Sequence, residues 1–429
     1  MICIEDLPDP LLVEILCRIP CSKVVFQCKS VSKRWLRLIS DPSFLRRFLC
    51  VQRVQQKPIL STLVILAFSD VEGHKTEVFT TSKHPLFQSS NLSLSFLPCF
   101  GDKEDREPVV VATYNDLILC CATNRLGGDY YICNPYTKQW VALPPAPQVH
   151  NGEVAPLGVG FMCDPYYNSS SREDGSSTSF DIIQLNTEYR WTIVRMVRNS
   201  SDAGYHVEMI STETRGEWRE LALLCSPQQL KHLQSIHTDV EGFISYSAVA
   251  HNGKFYWLPT TSECTFELDP FITDSSGDNV AKCRFIDEPD AFFISASNWH
   301  LGVCKGCLRM CKVGLGADDP FSVWELKLQE APEGDWEFEW LADRITQPFD
   351  DIPLFSEQED RSGTVEMLSF HPNNQDIVYF RFDQHIVTGN FREGKLELEK
   401  AAKTPFDIGS WREVYTFALP WWPTPVPKL

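Results

Sequence analysis

Beyond residue 59 the sequence consists of short runs rich in Val, Ile, Phe, Tyr, Trp and Thr, separated by turn signals. Neighbouring runs are often spaced at the roughly 8–12 residues that are typical of an all-β domain. Examples are residues 60–68, 108–113, 116–121, 129–133, 180–185, 191–197, 206–211, 254–258, 321–328, 365–370, 377–382 and 396–399. About 370 residues at this spacing hold roughly two dozen strands, too many for one sandwich, so repeated four-stranded blades are favoured.

Specific dipeptides mark turns between these runs. Asn252-Gly253 predicts a two-residue hairpin, and Glu393-Gly394 and Arg215-Gly216 predict further tight turns. With about 45–50 residues per blade, the body is predicted to be a propeller of six or seven blades. The tryptophans are unevenly spaced and demonstrate no period, so a pair of packed antiparallel sheets is an alternative.

The first fifty residues have helical periodicity instead. Asp9-Pro10 supplies a capping residue and a proline at the first helical position, and Pro20 ends this helix. Leu12, Ile15, Leu16 and Ile19 form one apolar stripe along it. Three further short helices are predicted to start at Ser22, Ser32 and Asp41-Pro42.

Four short helices build only a weak core, since a domain of this size is marginally stable alone. The apolar face of the first helix is too large for its small neighbours to cover. A partner helix or groove is therefore one interpretation, and packing against the large domain is the other.

Charge is distributed unevenly along the chain. Of the formal net charge of −18, residues 1–50 contribute +3, from eight Lys/Arg and five Asp/Glu, which leaves −21 for the rest. The acidic body argues against binding to nucleic acid or an anionic membrane. The basic head suits an acidic protein partner, although a solvated helical surface has the same composition.

The sequence predicts an intracellular protein, in the cytoplasm, the nucleus or both. Its start lacks the basic and apolar regions of a signal peptide, and no apolar run approaches the ~18 residues that span a bilayer. The 16 cysteines are then expected to be free thiols.

Motifs for catalysis or cofactor binding are not found in the sequence. It contains no phosphate-binding glycine loop, no nucleophile elbow and no zinc-protease motif. The nearest approach to a metal site is His300 with Cys304, Cys307 and Cys311. Because Cys307 begins a predicted strand that separates it from Cys311, we expect buried thiols here, with no metal and no cofactor.

Three stretches of the head resemble an F-box. They are "LPDPLLVEILCRIP" at residues 7–20, "CKSVSKRW" at 28–35 and "LISDPSF" at 38–44. In that family the opening Leu-Pro and the first helix bind a Skp-type adaptor. The resemblance implies that the adaptor contacts are Leu7, Pro8, Leu12, Ile15, Leu16, Ile19 and Pro20, with Val24 and Cys28 at the rim and Trp35 mainly in internal packing with partial contact.

Pieces of the body resemble the kelch-like F-box-associated region of plant F-box proteins. They include "YYICNPYTKQWVALPP", "GVGFMCDPYYN", "SYSAVAHNGKFYWL", "FSVWELK" and the closing "FALPWWPTPVP". The expected organisation is an F-box at 1–50, a linker at 51–58 and a target-binding propeller at 59–425. Segments 101–107, 168–179 and 274–279 are predicted loops, either on the target-binding face or tolerated insertions.

These features predict the substrate receptor of a Skp–cullin–F-box ubiquitin ligase. Such a subunit is not catalytic: the F-box holds the Skp-type adaptor and, through it, the cullin, while the propeller binds an unknown target protein. The alternatives are a propeller interaction module without a ubiquitin role and an enzyme with its site in the mouth of the propeller.

Overall fold

The computed structural model describes the helical head and most of the β-rich body. The described residues are 4–19, 22–54, 60–69, 73–79, 94–100, 109–121, 129–147, 157–164, 190–198, 205–226, 229, 247–259, 264–273, 279–287, 299–312, 321–330, 336–346, 365–382, 385–390, 392, 395–403 and 411–429.

A short 3-10 helix at Ile4–Asp6 and four α-helices form the described part of the head. The α-helices are α1 (Asp9–Cys17), α2 (Ser22–Cys28), α3 (Lys33–Ser40) and α4 (Pro42–Val54). The predicted cap of α3 is confirmed, because the Ser32 side chain accepts a hydrogen bond from the Trp35 backbone N–H. Asp41 likewise accepts from the Ser43 N–H at the start of α4.

Two details of the head differ from the expectation. Asp9 does not cap α1: the capping position is Pro8, and the Asp9 carboxylate pairs with Arg34 instead, at 2.6 Å. An ion pair to a neighbouring helix has replaced the local hydrogen bond. The last helix also continues to Val54, into the segment expected to be a linker.

The strands of the body follow these helices, and the described part of the body also includes a 3-10 helix at Pro98–Phe100 and one helical residue, Gln229. In chain order they are β1 (Leu60–Ser69), β2 (Gly73–Phe79), β3 (Val109–Tyr114), β4 (Leu117–Cys121), β5 (Tyr130–Asn134), β6 (Gln139–Ala142), β7 (Gly158–Asp164), β8 (Arg190–Arg198), β9 (Tyr205–Ser211), β10 (Arg219–Leu224), β11 (Val249–His251), β12 (Lys254–Trp257), β13 (Cys264–Thr273), β14 (Asn279–Asp287), β15 (Trp299–Cys304), β16 (Cys307–Lys312), β17 (Phe321–Glu330), β18 (Trp336–Thr346), β19 (Val365–Phe370), β20 (Ile377–Phe382), β21 (His385–Asn390), β22 (Lys395–Lys403) and β23 (Trp411–Leu419).

These strands form antiparallel blades in sequence order. Blades 1 to 5 are β3–β6, β7–β10, β11–β14, β15–β18 and β19–β22, and blades 2 and 3 are joined at their outer edge by parallel pairing of β10 with β14. A closing blade combines the C-terminal β23 with the N-terminal β1 and β2. The first and last strands of the body therefore hydrogen-bond to each other, as they must when a chain closes a ring.

The innermost strands form that ring. Within the described residues β23 contacts β3, β3 contacts β7, and the series continues through β11, β15 and β19 back to β23. The predicted propeller is confirmed with six blades, and the alternative of two packed sheets is wrong. A ring of this kind leaves only short edges exposed.

Each blade contributes half of an apolar layer that it shares with the next. Six clusters of buried residues lie between the six pairs of neighbouring blades in the described structure. Phe255, Trp257 and Phe266, for example, pack from blade 3 against blade 2. Gly160 is required there, because a Cβ at this position would lie 2.4 Å from the Phe255 ring.

The local predictions have mixed outcomes. The Asn252-Gly253 hairpin is confirmed, with both residues at positive φ between β11 and β12. Residues 180–185, Glu393-Gly394 and the loops at 101–107, 168–179 and 274–278 lie outside the described residues. The expectation of free thiols is wrong for Cys225 and Cys283, which form a disulfide between blades 2 and 3.

Candidate partner-binding surface

The helical head has a small, fully buried core. Its centre contains Leu12 and Leu16 of α1, Val25 of α2, and Phe44 and Phe48 of α4, each no more than 1% exposed. Gln52 closes one end of this core, since its amide donates to the carbonyl oxygens of Cys17 and Ile19.

Large apolar side chains also lie on the surface of the head. Nine large hydrophobic residues are exposed in the described structure, and six of them belong to residues 4–36. We call these six the exposed set: Ile4, Leu11, Ile15, Val24, Val31 and Leu36.

The exposed set arises from adjacent apolar residues on short helices. Neighbouring helical residues point about 100° apart, so only one of two can face a small core. The buried partners of four exposed residues are their chain neighbours, in the pairs Leu11-Leu12, Ile15-Leu16, Val24-Val25 and Leu36-Trp35. Within this set, Leu11 and Ile15 lie one helical turn apart on α1, and adjoining exposed apolar residues mark an interaction surface.

The ten residues predicted from the F-box resemblance divide by burial. Pro8, Ile15 and Val24 are exposed, and Leu7, Ile19 and Cys28 are half-buried. Leu12, Leu16 and Trp35 are buried in the core of the head. Pro20 lies outside the described residues.

Four members of the exposed set, Ile4, Leu11, Val31 and Leu36, are not among the ten residues that the resemblance implies. The predicted stripe of α1 begins at Leu12 and does not include Leu11, which is 54% exposed. Leu11 and Ile15 are four residues apart and therefore share one face of α1. Two adjacent apolar residues on a short helix, such as Leu11 and Leu12, indicate in the sequence that one of the two is exposed.

Ion pairs hold α1 against the later helices. Asp9 pairs with Arg34 and Arg37 of α3, and Glu14 pairs with Arg47 of α4 at 2.8 Å. The hydrogen bond from Arg47 lowers the pKa of Glu14. These pairs hold α1 against α3 and α4 and neutralise part of the positive charge of those two helices.

His300, Cys304, Cys307 and Cys311 lie on the β15–β16 hairpin of blade 4. His300 is opposite Cys311, and Cys304 is opposite Cys307, across β15 and β16. Burial lowers the pKa of His300 to about 4. Among the described residues no three His, Cys, Asp or Glu side chains are grouped so as to hold a metal ion. No described helix has the length and apolarity to cross a membrane.

Both parts of the molecule match family models. Residues 4–47 match the F-box domain, and residues 75–415 match the β-propeller of F-box protein At3g26010-like proteins. The chain belongs to this family of plant F-box proteins. The chain has the F-box and propeller of this family, and F-box domains generally bind Skp-type adaptors.

Relatives from Arabidopsis thaliana support the assignment. F-box protein At5g49610 is 30% identical over 161 residues, which cover 37% of this chain and 39% of that protein. F-box protein At3g28330 is 23% identical over 450 aligned residues, covering 99% of this chain and 96% of that protein. The chain thus spans less than half of the first relative and nearly all of the second.

Likeness to solved structures is weak. A GH74 xyloglucanase from Xanthomonas campestris aligns with a TM-score of 0.27 and 10% identity, covering 70% of this chain and 50% of the xyloglucanase.

Proposed function

We propose that this F-box protein is the substrate receptor of a Skp–cullin–F-box ubiquitin ligase. The F-box binds the Skp-type adaptor and through it the cullin, while the propeller binds the protein to be ubiquitinated. The chain itself is a non-catalytic subunit. It accelerates transfer by raising the effective concentration of the target near the catalytic subunits.

The observation that carries this proposal is the concentration of exposed apolar side chains on the F-box. Six lie within residues 4–36, against three elsewhere in the described structure: Trp140, Leu224 and Leu429. Exposing Leu11 and Ile15 on one face of α1 has a cost in water that burial against a partner removes. The propeller is much larger, yet its described surface exposes fewer large apolar side chains than the F-box does.

The adaptor contacts are proposed to be the residues of the F-box prediction that reach the surface, together with Leu11. These are Leu7, Pro8, Leu11, Ile15, Ile19, Val24 and Cys28. Leu12, Leu16 and Trp35 hold α1 and α3 in place behind them. We place the domain boundaries where the helices end and β1 begins, and the protein in the cytoplasm or nucleus, where the ligase acts.

A binding assay with matched variants tests the proposal. Purified Skp-type adaptor is titrated into the intact chain and into the Leu11→Ala/Ile15→Ala double variant. The matched control is Leu224→Ala, which removes an equally exposed leucine, 50% exposed, from blade 2. Each contact at the centre of an interface is worth about 1–3 kcal/mol, so the double variant loses at least tenfold in affinity.

The outcomes separate the alternatives. Loss of binding in the double variant alone, with unchanged circular dichroism, supports the receptor. Equal loss in Leu224→Ala would show that the assay reports general surface changes. If the intact folded chain binds no adaptor and co-purifies with no cullin, the proposal fails, and an interaction module without a ubiquitin role takes its place.

A further inference from the structure

The C-terminal segment after β23 runs between the F-box and the propeller. We call residues 420–429 the strap. It leaves the closing blade after Leu419, packs Trp421 and Trp422 against the F-box core, and then returns to the propeller. Its last residues lie on blades 1 and 2, where Val426 joins the apolar cluster and Leu429 packs over Gly216.

Trp422 is the contact of the strap with the F-box. Its ring centroid lies 4.6 Å from that of Phe26, 5.3 Å from Phe48 and 6.2 Å from Phe44. Phe26 belongs to α2, while Phe44 and Phe48 belong to α4. One indole therefore joins two helices of a domain whose own core is small, and aromatic pairs at these distances attract beyond simple burial.

Thr424 is the contact of the strap with the propeller. Its backbone N–H donates to Asp116 Oδ2 at 2.9 Å, and its carbonyl accepts from Asn134 Nδ2 at 2.9 Å. The same Asn134 amide donates to Asp116 at 2.8 Å, so the three residues form one hydrogen-bonded network. Asp116, Asn134 and Thr424 are all buried, between 0% and 3% exposed.

Only Pro423 separates these two contacts. Prolines at 420, 423, 425 and 427 fix one backbone torsion each and leave the strap little freedom to bend. The F-box is thus attached to the propeller twice, through the chain that follows α4 and through Trp422. A single attachment permits rotation, whereas two separate attachments fix an orientation.

We propose that the strap sets the orientation of the F-box on the propeller, with Trp422 as its anchor in the F-box and Thr424 as its tie to Asp116 and Asn134. The consequence for function rests on the proposed role as a substrate receptor. In that role, the orientation of the F-box determines the direction in which a bound target faces the rest of the ligase. Trp422 and Thr424 act as positioning residues that contact neither adaptor nor target.

Distance measurements on the intact chain test this. Fluorescent amino acids are introduced by codon suppression at Arg46 of α4 and Arg392 of blade 5, both exposed, which avoids labelling the many cysteines. The distribution of distances is compared for the wild type, Trp422→Ala, Trp422→Phe and Thr424→Pro. Trp140→Ala is the matched control, because Trp140 lies on blade 1 against Tyr131, away from the F-box core.

A single narrow distribution is expected for the wild type, Trp422→Phe and Trp140→Ala. Trp422→Ala and Thr424→Pro are expected to broaden it, because one removes the aromatic anchor and the other the N–H that Asp116 accepts. An unchanged distribution in both variants would overturn the proposal. If Trp422→Ala unfolds the F-box, seen as lost helical signal, Thr424→Pro decides alone, since it leaves the anchor intact.

Adaptor binding is measured on the same samples. A wild-type chain that binds no adaptor contradicts the proposed function, yet its distance distribution still tests the strap. A broadened distribution with adaptor affinity within threefold of the wild type supports the strap as a positioning element and separates it from the binding surface.

Discussion

The F-box and the propeller differ in how they use large apolar side chains. The propeller closes on itself, and each blade covers the apolar face of the next, which leaves Trp140, Leu224 and Leu429 as its exposed large hydrophobics in the described residues. The F-box has four short helices and one small core, and it exposes six. A closed ring completes its own burial, whereas a small helical domain needs partners: the strap on one side and, we propose, an adaptor on another.

The same contrast holds for ion pairs. In the propeller, Arg195 of β8 faces Glu208 of β9 with side chains 1% and 5% exposed. In the F-box, Arg47 and Glu14 are 55% and 29% exposed. An Arg–Glu pair that is exposed to water and one that is buried in a core are therefore expected to contribute very differently to the free energy of unfolding.

The largest effect is expected from Glu208→Ala. Arg195 Nη1 lies 3.3 Å from Glu208 Oε2, and the guanidinium also packs over the rings of Tyr130 and Trp218. Removing Glu208 leaves a buried charge without its partner, which costs about 3–5 kcal/mol of unfolding free energy. Denaturant unfolding followed by tryptophan fluorescence measures this loss.

The double variant Arg195→Met/Glu208→Leu is the control for Glu208→Ala. With both charges gone, most of the lost stability should return, because apolar residues of similar volume often replace a buried pair without cost. A Glu208→Ala protein as stable as the wild type would show that Arg195 is solvated after all.

A smaller effect separates the core of the F-box from its surface. Leu16→Ala removes a side chain that is 1% exposed and should destabilise the F-box by about 2–5 kcal/mol, while Ile15→Ala, beside it and 46% exposed, should change stability by under ~0.5 kcal/mol. Amide hydrogen exchange of α1 measures both. Adaptor affinity should show the reverse order in the folded proteins, and parallel losses in both assays would contradict the division.

Much of this fold was predictable because its helices and turns depend on residues that are close together in the sequence. The cap of Ser32 on α3 and the Asn252-Gly253 hairpin depend on neighbouring residues alone, and both are confirmed. The division of adjacent apolar pairs, such as Ile15 and Leu16, could also have been derived from helix geometry. The local pattern could not predict the partner of Asp9, because its carboxylate pairs with Arg34 of another helix.

The blade repeat could not be recognised in the sequence, because the feature that the blades share is supplied by different residue types. A side-chain oxygen at or near the end of the third strand caps the following turn in four blades. Asn134, Ser211 and Asn390 do so at the strand end, and Asp269 makes the same bond at an irregularity within β13; each accepts from a backbone N–H two residues later. These positions lie at unequal distances along the chain, since the connections differ in length.

The strap could not be predicted for a different reason. Thr424 meets Asp116 across 308 residues, and nothing in either neighbourhood indicates the other. Long-range pairing of this kind is fixed by the closure of the ring, which brings β23 beside β3. The contact between Thr424 and Asp116 therefore follows from the topology of the ring and not from the conformational preferences of nearby residues.

The carboxyl group of Asp116 is expected to make the stability of the propeller depend on pH. Burial raises the pKa of this carboxyl to about 6, outweighing the hydrogen bonds from Thr424 and Asn134 that lower it. An unfolded Asp has a pKa of about 4, so between about pH 4 and 6 the folded chain keeps a proton that the unfolded chain releases. This contribution to stability is fully present below about pH 4 and is lost as the pH rises through 6.

Thermal unfolding of the wild type and Asp116→Asn from pH 3 to 8 measures that contribution. The stability of the wild type relative to the variant should fall with rising pH and level off above pH 6. Asp41→Asn in the F-box is the control of opposite sign, because the hydrogen bonds from Ser43 lower the pKa of the Asp41 carboxyl. Its contribution is present above about pH 4 and is lost on acidification. Equal slopes for the two variants would contradict the difference in burial.

The smallest effect is expected from Glu14→Ala. Glu14 joins α1 to Arg47 of α4 through two hydrogen bonds, at 3.0 and 2.8 Å, and to Arg18 at 3.1 Å. This geometry would suggest a strong contact if distance alone decided. Water screens the exposed charges, however, and holding two long side chains in place costs entropy, so the thermal midpoint of the F-box should not change measurably. A loss as large as that of Glu208→Ala would mean that burial does not separate the two regions, and that α1 is held to the F-box by charge more than by Leu12 and Leu16.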